Sequence, residues 1–288
     1  MVKFTIRQFN ERYPTEDACL GEIFANRYGA LKKCPACKKD TNFYKVKGRK
    51  CYACQWCSHQ LHPLAGTIFH KSETPLKSWF YAIFLFANSR NGVSAMELQR
   101  QIGVTYKTAW RMAKQIRKLF GKPKKGKRLS KTVEVDETYY GARKPGKRGR
   151  GAAGKTPIIG LVQRQGKIVA QVIKGHKTAD IIPIVRQNVR KGSKVMTDEL
   201  SSYSLLGLLG YKHKRVHHAS KQYVQGQVHT NTIEGFWSQL KRSLTGTYHA
   251  VSPKYLQTYV DEFSYRYNLR HSLSSQFYPM ISRAARLA

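Results

Sequence analysis

Three carboxylates stand out in this chain because acidic residues are scarce around them. Along residues 138–260, which are dense in Lys and Arg, the acids are Asp180, Asp198, Glu199 and Glu234. Asp136 precedes this stretch in KTVEVDETYY, a run of β-branched and aromatic residues typical of a buried strand. Asp198 lies in a second strand-like run, KVMTDEL, and thirty-five residues separate it from Glu234 in the helical run NTIEGFWSQLKRSL. Two strand carboxylates and one helix carboxylate predict a cage for hard divalent cations, which prefer oxygen ligands.

Carboxylates in this arrangement suit phosphodiester chemistry, because two divalent ions can activate the attacking oxygen and stabilise the leaving oxygen. We expect Asp136 and Asp198 each to donate oxygens, one of them bridging both ions, and Glu234 to complete the second site. Helical periodicity places four polar residues on one face directed at these ions: Asn231, Glu234, Ser238 and Lys241. Lys241 can neutralise a phosphate there, and Asn231 can offer a neutral oxygen ligand.

The remaining acids near these segments have other interpretations. Glu134 lies on the same strand face as Asp136, so it either forms a salt bridge or exchanges roles with Asp136. Glu137 and Glu199 are predicted to point to the opposite face, as structural partners of basic side chains. Asp180 fits a first-turn charge favoured by the helix dipole.

A cysteine cluster has the spacing of a second metal site. Two CxxC pairs, separated by sixteen residues, supply the ligands expected of a structural zinc ribbon: Cys34, Cys37, Cys54 and Cys57. Cys51 also forms a CxxC with Cys54, but that pairing shortens the gap to thirteen and leaves Cys57 out. His59 and His62 are the substitute ligands if the pairing differs.

Net charge indicates the class of partner. The 288 residues include 52 Lys and Arg against 16 Asp and Glu, a formal net charge of +36. Such an excess favours a polyanion, and nucleic acid is the default. An acidic membrane would call for a basic amphipathic helix or a lipidation signal, and we find neither. Without a signal peptide or an apolar run long enough to cross a bilayer, we expect a cytoplasmic protein with no membrane partner.

Two helical segments before the Asp136 strand resemble a helix-turn-helix. Ser94 can cap a helix over 95–102, Gly103 makes the turn, and a second helix covers 105–120. The second helix exposes side chains able to contact a major groove: Tyr106, Lys107, Arg111, Lys114, Gln115 and Lys118. The alternative is a helical pair that only packs.

Basic, glycine-punctuated runs flank the Asp136 strand. GKPKKGKR at 121–128 is typical of a linker, and RKPGKRGR at 143–150 interrupts the region between the first two strands. Such runs are usually solvated, but one beside a metal site can also hold a phosphate backbone. The candidate DNA contacts in the second run are Arg143, Lys147, Arg148 and Arg150.

The order of predicted elements after residue 130 is three strands, a helix, the Asp198 strand, a short helix, a strand and a long terminal helix. This is the order of the ribonuclease H fold, in which the first and fourth strands place their carboxylates side by side. We therefore predict an α+β multi-domain chain. Its parts are an N-terminal helical segment (1–30), a zinc ribbon (31–70), a helix-turn-helix domain (71–120), a basic linker (121–130) and a ribonuclease H-like mixed α/β catalytic domain (131–288).

Several segments resemble one family closely: VDETYYG, TDE followed by SSY, HTNTIEGFWSQLKRSLTGTYHAVS and DEFSYRYNLR. Together with CPAC, CQWC and GTIFHKSETPLKSWF they are similar to ISX-type bacterial insertion-sequence transposases of the DDE type, relatives of the Merlin superfamily. The resemblance covers nearly the whole chain. It implies catalytic acids at Asp136, Asp198 and Glu234, with Lys241 as helper; relatives with Asn as the third member would nominate Asn231.

The resemblance also implies an activity and partners. We expect an enzyme that nicks and joins element ends with two Mg²⁺ or Mn²⁺ ions, using water first and then the freed 3′-hydroxyl. Double-stranded DNA, as terminal inverted repeats and target, is the expected partner, within a homodimer or larger synaptic assembly near the bacterial nucleoid. Two alternatives stay open: a catalytically inert DNA-binding protein on a transposase-derived scaffold, and a nuclease without strand transfer.

Overall fold

The computed structural model describes residues 4–121, 127–141, 154–216 and 229–286. These residues form two compact units: one contains the described residues up to Leu119 and those from Ser272 onward, and the other extends from Phe120 to His271. Residues 122–126 of the predicted basic linker lie outside the described residues, as do the DNA contacts proposed at Arg143, Lys147, Arg148 and Arg150. None of the helices in the described part is long and apolar enough to cross a membrane.

Helices dominate the first unit. Their bounds are α1 Ile6–Arg12, α2 Glu16–Tyr28, α3 Leu76–Asn88, α4 Ala95–Ile102 and α5 Tyr106–Lys118, joined by the C-terminal helix α9, Phe277–Arg286. A carboxylate fixes the start of α3, because Glu16 accepts hydrogen bonds from the backbone N–H groups of Leu76 and Lys77, both at 2.7 Å. Such an acceptor satisfies donors that a helix N-terminus leaves unpaired.

The C-terminal helix folds with the first unit. Phe277 is fully buried and contacts the rings of Phe4, Phe9, Tyr13 and Phe80. Burial of these aromatic rings outweighs their distance along the chain. The structure therefore differs from the predicted catalytic domain of residues 131–288, which placed this helix with the second unit.

A small antiparallel sheet carries the paired cysteines. Its strands are β1 Phe43–Lys45, β2 Tyr52–Cys54 and β3 Gln60–Leu61, in the order β1-β2-β3. The sheet rests on α2 through the rings of Phe24 and Tyr52, whose centroids are 3.9 Å apart. A sheet this small has little core of its own, which is the situation in which a bound metal stabilises folding.

A five-stranded mixed sheet forms the centre of the second unit. Its elements are β4 Thr132–Tyr140, β5 Thr156–Gln163, β6 Ile168–Val172, α6 Thr178–Asn188, β7 Lys194–Thr197, a 3₁₀ helix Ser201–Leu206, β8 Lys212–Arg215, α7 Asn231–Gly246 and α8 Pro253–Asn268. The strand order is β6-β5-β4-β7-β8. Strand β4 pairs antiparallel with β5 and parallel with β7, so it is the central strand.

Helices cover both faces of this sheet. Val133 and Val135 point to one face, where they join the core formed with α6 and the 3₁₀ helix. Glu134 and Asp136, which alternate with these valines along the strand, point to the other face because strand side chains alternate. The core on that second face contains residues of β5, β6, α7 and α8. The alternation therefore places two acids of β4 against α7.

A glycine permits the close approach of α7 to the sheet. Gly160 of β5 is the register partner of Asp136. A Cβ atom added there would lie 2.6 Å from Cδ1 of Ile233 and 2.6 Å from Cζ2 of Trp237. Because real side chains do not tolerate such contacts, only glycine allows α7 to lie this near to Asp136.

Candidate metal centres

Carboxylates from β4 and the end of β7 converge in the second unit. The parallel register of the two strands ends at the pair Glu134 and Met196, so β4 continues past its neighbour. Asp136, Glu137 and Asp198 lie at this end, and each offers a carboxylate oxygen within 4.8 Å of the other two. The structure thus brings Asp136 and Asp198 together, and it adds Glu137. This set is called the acid cluster below.

Each member of the acid cluster accepts a hydrogen bond from a nearby donor. The indole Nε1 of Trp237 donates to Oδ2 of Asp136 at 3.1 Å. The backbone N–H of Leu200 donates to Oδ1 of Asp198 at 3.0 Å. The buried phenol of Tyr203 donates to Glu137. These bonds orient the three carboxylates, as the surroundings of a metal site usually do.

Glu137 was predicted to be only a structural partner on the opposite strand face. Its donor Tyr203 does belong to the core on the face opposite α7. Its carboxylate nevertheless reaches the acid cluster, because β4 has no β7 neighbour beyond Glu134 and the two faces meet at the strand end. The sequence placed Asp198 within a strand-like run, whereas β7 ends at Thr197 and Asp198 follows it.

Burial and like charge perturb Asp136. Desolvation by burial, as the largest cause, and the negative charge of Asp198 raise the pKa of the Asp136 carboxyl above its ordinary value, to about 6. The hydrogen bond from Trp237 lowers this pKa, and the charge of Glu234 raises it. A carboxylate repelled by its neighbours is stabilised by a cation placed between them. Oxygen donors of this kind fit a hard divalent ion.

Glu234 lies beside the acid cluster in the first turn of α7. Its Oε1 accepts a hydrogen bond from the Thr230 hydroxyl at 2.9 Å. It is outside the set of oxygens within 4.8 Å, but its charge acts on the pKa of Asp136. Asn231 and Lys241 are exposed on the same helix, together with Glu234 itself. All three therefore face solvent, where an ion or a phosphate can approach them.

Glu134 attaches α7 to the central strand. It is fully buried, and it accepts hydrogen bonds from Nε of Arg164 at 2.7 Å and from the backbone N–H groups of Thr232 at 2.9 Å and Ile233 at 3.1 Å. The Thr232 hydroxyl also donates to it, at 2.9 Å. Of the two interpretations open for Glu134, the structure shows the salt bridge, with Arg164.

The position of Glu134 has an electrostatic reason. A helix N-terminus presents unpaired N–H groups and a partial positive charge, and a carboxylate satisfies both. Removing one partner of a buried ion pair costs roughly 3 to 5 kcal/mol, because the other charge is left unpaired. Glu134 therefore holds the start of α7 against β4, and this contact places Glu234 and Trp237 beside Asp136.

The four cysteines of the ribbon converge as predicted. Sγ of Cys34 lies 3.6 Å from Sγ of Cys57, and Sγ of Cys37 lies 3.9 Å from Sγ of Cys54. Sulfurs bound to zinc at about 2.3 Å in a tetrahedron are about 3.8 Å apart. The geometry and the chemistry of this set therefore fit a structural zinc ion. Cys51 is buried outside the set, and its thiol donates to Oε1 of Gln60 at 3.4 Å.

Helices α4 and α5 present the predicted basic side chains. Ser94 caps α4 by accepting from the N–H of Glu97 at 3.1 Å, and Gly103 ends it with a φ of 75°. Tyr106, Lys107 and Arg111 of α5 are exposed, and Lys114 is half-buried with its ammonium 5.2 Å from the ring centroid of Trp110. The two helices pack together and leave this face of α5 in solvent.

Comparison with known protein families identifies two segments. Residues 14–60 match the family described as transposase zinc-ribbon domain. Residues 128–268 match the family described as ISXO2-like transposase domain. The segment matched to the ISXO2-like transposase domain contains the acid cluster, α7 and α8, and the zinc-ribbon match contains the four clustered cysteines.

Curated relatives are similar to the chain as well. The chain is 28% identical over 254 residues to a protein described as an uncharacterized protein in transposable element ISH50 of Halobacterium salinarum, covering 81% of this chain and 84% of that protein. It is 28% identical over 102 residues to an uncharacterized transposase-like protein of Haemophilus influenzae, covering 35% of this chain and 81% of that protein. The domain match and these relatives support a transposase.

Solved structures give a weaker likeness. The Mos1 strand transfer complex matches with a TM-score of 0.33 at 11% identity, over 72% of this chain and 75% of that chain. The Mos1 paired-end complex with the left transposon end matches with a TM-score of 0.30 at 12% identity, over 72% of this chain and 79% of that chain. Scores this low do not define a shared fold.

Exchange of single cysteines tests the ligand set of the zinc ribbon. We expect Cys37→Ser to reduce bound zinc well below about one ion per chain, because three thiolates remain for a tetrahedral ion. Cys51→Ser should retain the zinc, because the Cys51 thiol contacts Gln60 instead of the cluster. Elemental analysis of the purified proteins measures their zinc content and so shows which cysteines bind the ion. Equal zinc loss in both variants would contradict this ligand set.

The raised pKa of Asp136 predicts a pH-dependent effect on stability. Because the pKa in the folded chain exceeds the ordinary value, folding favours the neutral form, and the stability that protonation provides is lost as the pH rises through about 6. Without divalent ions, Asp136→Asn should therefore stabilise the chain, by about 1 kcal/mol more at about pH 7.5 than at about pH 5. Urea unfolding at both pH values measures this, and a gain that shrinks as the pH rises would refute it.

Proposed function

We propose that this chain is a DDE-type transposase that binds the ends of an insertion sequence, cleaves DNA strands there and joins them to a target. The observation that carries the proposal is the convergence of Asp136 and Asp198 within a segment that matches a transposase domain. Like charges this close are unfavourable unless a cation joins them. An arrangement of this kind is expected of a site that uses divalent ions on phosphodiesters.

The strand order supports a ribonuclease H-like catalytic domain. The three antiparallel strands β6, β5 and β4 continue into the parallel strands β7 and β8, with β4 in the centre. Along the chain, three strands, a helix and a fourth strand follow one another, and this is the order of elements from which the sequence predicts that fold. It explains why Asp136 on β4 and Asp198 after β7 emerge side by side. The ends of neighbouring parallel strands meet at one edge of a sheet, and function usually collects there.

Each residue of the site has a role in the proposal. Asp136 and Asp198 hold two Mg²⁺ or Mn²⁺ ions, and the third protein ligand comes from the first turn of α7. When bound, the ions supply activation of the attacking oxygen and stabilisation of the leaving oxygen. Glu234 is our choice for the third ligand, because its charge already acts on Asp136; Asn231 is the alternative. Lys241, exposed on the same helix, neutralises a phosphate.

DNA binding follows from charge and from the exposed face of α5. A formal net charge of +36 favours a polyanion. We assign α4 and α5 to a helix-turn-helix, because the capped α4 ends at a left-handed Gly103 and α5 follows directly. Tyr106, Lys107, Arg111 and Lys114 would contact the duplex. Because two element ends must be brought together, the protein would act as a homodimer or larger assembly. The sequence resemblance further relates it to the Merlin superfamily.

A strand-cleavage assay tests the proposal. Purified full-length protein is incubated with Mg²⁺ or Mn²⁺ and a labelled duplex carrying an end of the element that encodes it. We expect Asp136→Asn and Asp198→Asn to reduce cleavage by about a thousandfold or more, because the ions stabilise the transition state by several kcal/mol. DNA affinity should stay close to that of the wild type, since the α5 face is unchanged.

Controls separate the catalytic acids from general charge effects. Asp180 lies in the first turn of α6, outside the acid cluster, so Asp180→Asn should cleave like the wild type. Glu234→Gln and Asn231→Ala compare the two candidates for the third ligand. Cleavage that survives Asp136→Asn would contradict the mechanism. Tight DNA binding by a wild-type protein that never cleaves would favour the inert DNA-binding alternative.

A further inference from the structure

Two large aromatic rings lie on the surface of the zinc ribbon. Tyr44 of β1 and Trp56, between Cys54 and Cys57, are each 59% exposed. Aromatic side chains provide much of the burial energy of cores and interfaces, so leaving two of them in water gives up that stabilisation. Exposed apolar groups that lie next to one another, unlike single ones, mark interaction surfaces. Tyr44 and Trp56, with the basic residues Lys39, Lys47, Arg49 and Lys50 of the same sheet and its turns, are called the ribbon surface below.

The two rings are held in place. The indole Nε1 of Trp56 donates to the backbone oxygen of Asp40 at 2.9 Å, and its backbone N–H donates to Sγ of Cys54 at 3.4 Å. The phenol of Tyr44 donates to Oε1 of Gln55, the residue before Trp56, at 3.5 Å. Both side chains are therefore mounted on the cysteine-bearing part of the ribbon. Rings that are already ordered lose little conformational entropy when they bind.

Basic side chains are frequent in the ribbon, and one of them lies beside a ring. Residues 32–59 contain eight Lys and Arg and a single acid, Asp40. The ammonium of Lys39 lies 5.6 Å from the ring centroid of Trp56. The turn between β1 and β2 is closed by the N–H of Val46 donating to the oxygen of Cys51 at 3.1 Å, and it exposes three further basic residues: Lys47, Arg49 and Lys50.

This combination fits a nucleic-acid strand better than a protein. Positive charge attracts phosphates, and flat exposed rings stack on bases of any sequence. Inside a duplex the faces of the bases are covered by their neighbours, so rings on a surface can stack only where bases are unpaired. We propose that the ribbon surface binds DNA with unpaired bases, Tyr44 and Trp56 stacking on the bases while the basic residues contact phosphates. The inference rests on the proposed function only in taking DNA as the substrate.

Binding of two matched probes tests the ribbon surface. Full-length, zinc-loaded protein without added Mg²⁺ or Mn²⁺ is titrated with a blunt duplex and with the same duplex carrying a short unpaired 3′ overhang. We expect the overhang to be bound about tenfold more tightly, and Trp56→Ala and Tyr44→Ala each to remove most of that preference while affinity for the blunt duplex stays the same. An overhang of abasic nucleotides, which keeps the phosphates but lacks the bases, should lose most of the preference.

Control variants make the outcome decisive. Trp56→Phe keeps an aromatic face and should retain most of the preference. Tyr106→Ala changes a comparably exposed tyrosine of α5, so it should leave the ratio of the two affinities unchanged. If Trp56→Ala loses zinc, Tyr44→Ala, which lies outside the cysteine pairs, provides the test.

Three results would overturn the inference: an unchanged preference in the alanine variants, an equal loss of affinity for both probes, or full affinity for the abasic overhang. Cleavage that depends on Asp136, combined with any of these results, would remove only this inference. Loss of the stacking preference in Trp56→Ala, combined with cleavage that does not need Asp136, would remove only the catalytic proposal.

Discussion

Mutual repulsion among the carboxylates of Asp136, Glu137 and Asp198 is the interaction that the second unit has to offset. Burial, together with the charge of Asp198, raises the pKa of Asp136 to about 6. Each carboxylate accepts one hydrogen bond that helps to hold it in the cluster: Asp136 from Trp237, Asp198 from Leu200 and Glu137 from Tyr203. A site in which negative charges are held together against repulsion has a strong preference for a cation. The proposed activity depends on that preference.

The placement of α7 depends on two residues that take no direct part in the proposed chemistry. Glu134 is buried at the start of the helix and joins its N–H groups and Arg164 to the central strand. Gly160, on β5 opposite Asp136, has no side chain and so leaves room for Trp237 of α7. Together they determine the distance between Asp136 and the first turn of α7. In a chain with few acids, the carboxylate of Glu134 thus serves the structure, while the carboxylates of the acid cluster form the proposed metal site.

The sequence predicted local elements better than contacts between distant segments. Strand runs rich in β-branched residues and the signals at Ser94 and Gly103 matched the observed β4 and α4, because they act within a few residues. Convergence of the four cysteines followed from their spacing. The contribution of Glu137 was missed. Strand alternation predicts the face of a side chain only within the sheet, and β4 extends past the end of its pairing with β7. The return of α9 to the first unit was also missed, since it depends on aromatic packing around Phe277.

Direct location of a divalent ion tests the central claim most closely. Crystals of the full-length protein soaked in Mn²⁺ would show bound manganese as an anomalous scattering peak. Our account predicts a peak in contact with the carboxylates of both Asp136 and Asp198. Manganese bound only by other acids of the chain, or no peak at these two residues under conditions in which the protein cleaves DNA, would contradict it.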